Sequence, residues 1–182
     1  MNKVAIGLRA QKGGAVVIAL SLAADGPRLL LSSFLSTAAE GDRLAFEPYK
    51  VASEMPLAEA AATVAEGRKR QDEMAAQGLR AIITQLEAMP VVVALLVNRA
   101  GWITDLLSYS REWAEHIPVA EGLAVREALR FAVRECGLTL VELDEKSLPD
   151  PAEHLKALGG VTAKPWRKEQ KLACVAAWIA AI

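Results

Sequence analysis

Cysteine and histidine are scarce in this chain, no sign of charge dominates, and no apolar run is long. Only Cys136 and Cys174 occur among 182 residues. They stand apart on predicted helices, so buried, reduced thiols are expected rather than a disulfide or a metal pair. His116 and His154 have no metal-ligand spacing around them, and a structural or surface role is expected for each. The formal charge is −1, from 21 basic and 22 acidic residues. That balance excludes a global electrostatic footprint for nucleic acid or an anionic membrane, so any contact with a polyanion must be local. The longest apolar runs, such as Leu172 to Ile182, fall short of the roughly 20 residues that span a bilayer, and no membrane segment is expected. Only Asn2 and Lys3 precede a strand-like run, without a small-residue cleavage site, so a cytoplasmic location is expected. G-x-G-x-x-G, C-x-x-C, H-E-x-x-H and G-x-S-x-G are all absent, and Lys12-Gly13-Gly14 lacks P-loop spacing.

What is present reads as one folded domain. Hydrophobic residues make up 53% and charged residues 24% of the chain, which excludes a disordered, collagen-like or low-complexity protein. The length suits a single domain over residues 1–182, and neither an internal repeat nor a linker is visible.

Val4 to Gln11 is apolar at alternate positions on both faces, as in a central strand covered on both sides. Lys12-Gly13-Gly14 is a hairpin turn signal, and Ala15 to Ala23 continues as an antiparallel second strand. Asp25-Gly26-Pro27 punctuates before a third strand from Arg28 to Ser36. Periodicity lapses between Thr37 and Met55, which predicts a long connection of the kind that covers something. Pro56 then opens a helix whose stripe of Leu57, Ala61, Val64, Ala75, Leu79 and Ile82 keeps helical spacing toward Met89. Unbroken, that helix is roughly 50 Å long against a radius of gyration of about 16 Å, so a bend is expected at Gly67 or Gly78.

Pro90 ends the helix, and Val91 to Asn98 is a β-branched run with the character of a buried fourth strand. A short helix around Ile103 to Trp113 follows, then one from Val119 to Cys136 with Pro118 at its entry and Gly137 as its stop. Leu138 to Asp144 supplies a fifth strand. Asp150-Pro151 starts a short helix ending at Gly159-Gly160, and Pro165 opens a terminal helix to Ile182. An antiparallel meander followed by right-handed crossovers gives a mixed five-stranded α/β sheet with helices on both faces.

This order of elements resembles the ribonuclease H-like superfamily, and within it the Holliday-junction-resolvase-like branch. The resemblance is carried by Gly-Leu-Arg at Gly7 to Arg9 followed by Gly13-Gly14, by Ala-Glu-Gly at Ala120 to Gly122, and by Lys-Pro-Trp-Arg-Lys-Glu-Gln-Lys at Lys164 to Lys171. The closing segments are also similar to bacterial proteins predicted to share that fold. The resemblance implies a sheet in the order 3-2-1-4-5 with strand 2 antiparallel. It also implies a nuclease that holds two Mg²⁺ with carboxylates from the first strand, the first helix, the end of the fourth strand and the last helix.

This sequence departs from that pattern. The first-strand position falls at Gly7, or at Leu8 or Arg9 in a shifted register, and none is a carboxylate; the fourth strand ends at Asn98. The helices offer Glu59 or Glu66 and Glu169, leaving two anionic ligands of four, and Arg9 would repel a cation. The expectation is a dismantled two-metal site, with no metal or other cofactor, in a domain that binds a protein, a nucleic acid or a small anion. The competing expectation is an Mg²⁺-dependent nuclease of structured nucleic acid that rebuilds its site from Glu59, Glu66, Glu121 and Glu169.

Each candidate also carries a plainer reading. Arg9 is either paired with an acid or carbonyls, or turned toward a ligand. Asn98 is either a ligand contact at the sheet edge or a turn residue. Arg167, Lys168 and Lys171 oppose the helix dipole and make either an anion site or a solvated turn. Trp166 beside them is a packing anchor or a stacking surface, and Arg68-Lys69-Arg70 with Asp72 and Glu73 is a solvated face or a nucleic-acid contact. Glu121 is placed at a helix start, where the dipole alone favours it. The apolar helices are also compatible with a homodimer.

Overall fold

A computed structural model describes residues 3–98, 100, 102–158 and 166–182. The alternation in the first strand, β1 (Lys3–Gln11), divides the molecule. Ile6, Leu8 and Ala10 face one apolar cluster, while Ala5 faces another. Strands β2 (Gly14–Ala23) and β3 (Gly26–Ser36) complete an antiparallel meander with β1. The turn between β1 and β2 needs Gly13 at φ 79, a left-handed conformation that side chains disfavour.

β4 (Val92–Val97) pairs parallel with β1, and β5 (Leu140–Asp144) pairs parallel with β4. The sheet order is β3-β2-β1-β4-β5, as the resemblance implied, with β2 antiparallel. One face is covered by α3 (Leu57–Leu86) and α5 (His116–Glu135), whose Leu79, Ile82, Leu129 and Val133 pack on Leu8, Val93 and Leu95. The other face is covered by α7 (Lys168–Ala181), whose Ala173, Cys174 and Ala177 pack on Ala5, Val16 and Ile18.

Three expectations about local structure are corrected. The connection after β3 holds two short helices, α1 (Arg43–Phe46) and α2 (Pro48–Ser53), each too short for a periodic pattern. Asp42 caps α1 by accepting the Ala45 N–H at 3.2 Å, and buried Gln71 of α3 ties it down by donating from Nε2 to the Ala45 carbonyl at 2.8 Å. Secondly, α3 runs for 30 residues without a break at Gly67 or Gly78. Those glycines serve close packing instead: a Cβ on Gly67 would lie 2.7 Å from Pro48 Cβ, and one on Gly78 would lie 3.2 Å from Leu35 Cγ. Thirdly, α5 begins at His116, before Pro118, which sits in the first turn where a missing N–H breaks no helical bond.

Helix α4 (Leu106–Glu112) precedes α5, and α6 (Glu153–Lys156) precedes α7. The expected helix stop at Gly159-Gly160 and the expected start at Pro165 lie outside the described residues, as do Arg99, Gly101 and the side chain of His154.

Candidate functional site

Gly7 sits in mid-strand, on the face that α7 covers. A Cβ built on it would lie 1.8 Å from the carbonyl oxygen of Ala173 and 3.1 Å from the Ala177 nitrogen. The backbone of α7 therefore rests directly on the strand, and no side chain of any kind fits there. Leu8, the next position, turns to the opposite face and is fully buried there.

Arg9, on the same face as Gly7, makes a forked ion pair with Glu145, with Nη2 to Oε1 at 3.0 Å and Nε to Oε2 at 3.2 Å. The partner comes from the turn after β5, and both side chains are about four-fifths buried. Arg126 of α5 adds a second guanidinium to this edge, its Nε donating to the Leu96 carbonyl at 3.4 Å. Burial lowers its proton affinity, while Glu145 opposes that shift and Arg130 and Arg9 add to it.

The four glutamates of the rebuilt-site expectation are not brought together. Glu59 and Glu66 are exposed on α3, and Glu66 accepts from Arg70 at 3.0 Å. Glu121 lies on α5 and Glu169 at the start of α7, on opposite sides of the sheet. No group of three or more His, Cys, Asp or Glu side chains able to hold a metal occurs among the described residues. A shut strand position, an arginine beside it and scattered carboxylates do not fit a pair of divalent cations.

Asn98 is exposed at the end of β4, beside a surface depression also lined by Arg68, Glu127 and Arg130. Arg167 precedes α7 and its N–H donates to Gln170 Oε1 at 3.0 Å; Lys168 and Lys171 are exposed. Trp166 packs into the cluster beneath α7. Arg70 is held by Glu66 and Asp42. His116 is stacked on Tyr109, with ring centroids 3.9 Å apart, and its Nδ1 lies 2.8 Å from the Tyr109 carbonyl.

Glu121 is the residue whose sequence reading changes most. It lies beyond the first turn of α5 rather than at its start, and is only 7% exposed. Its Oε1 accepts the Lys50 N–H at 2.9 Å, a bond spanning 71 positions. Oε2 has no hydrogen-bond partner. Burial pushes the carboxyl up to about 7, against the pull of the Lys50 and Tyr49 N–H groups. This carboxyl lines a cleft of about 410 Å³ between the β1–β2 turn, α1, α2 and α5, walled by Phe46, Ile117, Pro118 and Val125. Nothing in the sequence marked Phe46 or the cleft.

Comparison with known proteins bears on the fold. No protein-family model and no curated protein sequence matches the chain. The structure of Thermus thermophilus RuvC superposes with a TM-score of 0.54 at 13% identity, covering 98% of this chain and 93% of that one. The same protein in complex with a Holliday junction substrate gives 0.55 at 13% identity, covering 98% and 92%. The fold is ribonuclease H-like. At this identity the likeness extends to the course of the ribonuclease H-like sheet and helices, not to the side chains at the strand position of Gly7. No helix of the described residues is long and apolar enough to cross a membrane.

Proposed function

We propose that this chain is a ribonuclease H-like binding domain without the two-metal nuclease chemistry of its superfamily, working in the cytoplasm. The observation that carries this reading is the seat of α7 on β1. The Ala173 carbonyl occupies the space that a carboxylate on residue 7 would need. An aspartate introduced there would have to push a whole helix away before it could reach a cation. The Arg9–Glu145 pair supports the same reading, because the acid that reaches Arg9 on this strand is already neutralised. Both cysteines are free, in keeping with a reducing compartment.

The test is a pair of measurements on the purified chain. Calorimetric titration with Mg²⁺ and Mn²⁺ is expected to give no binding tighter than millimolar. Incubation with four-way junction DNA and with RNA–DNA hybrids in either metal is expected to give no cleavage. Four-way junctions come first because the Thermus thermophilus RuvC is found with one. Metal-dependent cutting that disappears in Glu169→Ala or Glu59→Ala overturns the proposal in favour of a nuclease with a rebuilt site. Junction binding without cutting, weakened by replacing Arg167, Lys168 and Lys171 together, would identify the partner as nucleic acid held by exposed cations.

A further inference from the structure

The cleft beside Glu121 is a built site that the metal question does not touch. Its floor is a carboxyl more than nine-tenths buried, with one oxygen committed to the Lys50 N–H and the other left without a partner. A buried acceptor in that condition costs free energy, and a ligand that supplies a donor recovers it. The walls are apolar and include one aromatic ring, Phe46, which is partly exposed. The mouth carries Lys12, Lys50 and Arg126 against a single rim carboxylate, Glu47. Lys12 Nζ lies 3.5 Å from Glu47 Oε2 and 4.9 Å from the centre of the Phe46 ring. The volume of about 410 Å³ is in the range of small-molecule sites.

Donor-seeking floor, apolar walls and a mouth with surplus positive charge define one ligand chemistry. We propose that this cleft binds a small aromatic anion that carries an O–H or N–H donor on its ring. The donor meets Glu121 Oε2, the ring lies against Phe46 and Ile117, and the anionic group meets Lys12 and Arg126. This deepens the binding-domain reading by naming a ligand class, and it stands or falls separately from it. Metal-dependent cleavage would overturn the earlier reading and leave the cleft's occupancy intact.

Two ring-donor anions, 4-hydroxyphenylacetate and 4-aminobenzoate, serve as probes, with phenylacetate and benzoate as partners lacking the donor and tyramine lacking the anion. Binding is read by calorimetry and by ligand-observed NMR. Both donor-bearing anions are expected to bind, about tenfold more tightly than their donor-free partners, as for a hydrogen bond to a charged group. Tyramine is expected to bind more weakly than 4-hydroxyphenylacetate. Affinity for 4-hydroxyphenylacetate is expected to rise about tenfold between pH 6 and pH 8, as the Glu121 carboxyl loses its proton and becomes the stronger acceptor. The groups around that carboxyl are Lys12 of the β1–β2 turn, Glu47 between α1 and α2, Tyr49 and Lys50 of α2, and Arg126 of α5; Arg68 and Asp105 act on Tyr49.

Glu121→Ala should abolish the preference for donor-bearing rings, and Lys12→Ala, at an exposed site, should weaken every anion. Absence of binding by both probes at 5 mM, on the order of the weakest useful fragment affinities, overturns the proposal. So does equal affinity for the matched pairs on the unaltered protein, a comparison that does not depend on any variant folding.

Discussion

On the α7 face of the sheet a helix backbone touches the strand, whereas on the α3 and α5 face side chains hold the helices away. Gly7 permits the first arrangement, with Ala173 and Ala177 as the facing residues. Leu8, Leu79, Leu95 and Leu129, all fully buried, produce the second. Small residues give close approach and leave no room for a ligand between helix and strand. Large residues space the layers apart, and where they give out, past Ala10 and Val125, the gap opens into the cleft that holds Glu121. The same sheet thus closes against α7 on one face and opens a pocket on the opposite face.

The sharpest way to break this comparison is at Gly7. Gly7→Ala is expected to destabilise the chain by about 3 kcal/mol or more, and Gly7→Asp to prevent α7 from docking at all. Urea unfolding measures the first and loss of the cooperative transition the second; a Gly7→Ala protein as stable as its parent would refute the backbone contact.

Glu121 gives the next largest effect and probes the open face. Its carboxyl is raised in the fold, so the folded chain retains a proton that the unfolded chain releases between about pH 4.5 and pH 7. Stability is therefore expected to be greatest below pH 4.5 with respect to this group alone, and to decline as pH rises through 7. The loss is at most about 3 kcal/mol. Glu121→Gln should remove that decline, which chemical denaturation at pH 5 and pH 8 compares directly.

A smaller effect is expected at the Arg9–Glu145 pair. A double-mutant cycle with Arg9→Met and Glu145→Gln should return a coupling of about 1 kcal/mol, since both groups are largely but not wholly withdrawn from water. No coupling would mean that Arg9 is available to a ligand. The smallest effect belongs to Cys174, which is 1% exposed on the sheet-facing side of α7 and pushed up to about 12 by burial alone. A disulfide exchange reagent at pH 8 should leave it unmodified in the folded chain and react with it on unfolding. Reaction at the native rate of an exposed thiol would show that α7 opens readily.

Much of the architecture was legible because it rests on local pattern. Alternation in Val4–Ala10, the β-branched run at Val92–Val97 and the glycine turn at Gly13 each announce an element within ten residues. A mixed five-stranded sheet followed from the order of those elements, and its strand order from the resemblance that they carry. Helices α1 and α2 were not legible, since four and six residues cannot display a helical stripe and are held by the Asp42 cap and by Gln71 and Glu121 from elsewhere in the chain. At the site, the missing carboxylate at Gly7 and a charge needing a partner at Arg9 could both be read. The partner itself, 136 positions away, could not.

The sequence alone determined where the strands and the longer helices form, because side-chain periodicity and turn chemistry act over a few neighbouring residues. It also determined that residue 7 presents only a hydrogen. Whether that hydrogen faces open solvent or a helix backbone was decided by the docking of α7, and the high proton affinity of Glu121 by the helices that enclose it. Both depend on which distant groups displace water from a point in space, and desolvation is a property of the assembled layers that no stretch of chain carries by itself.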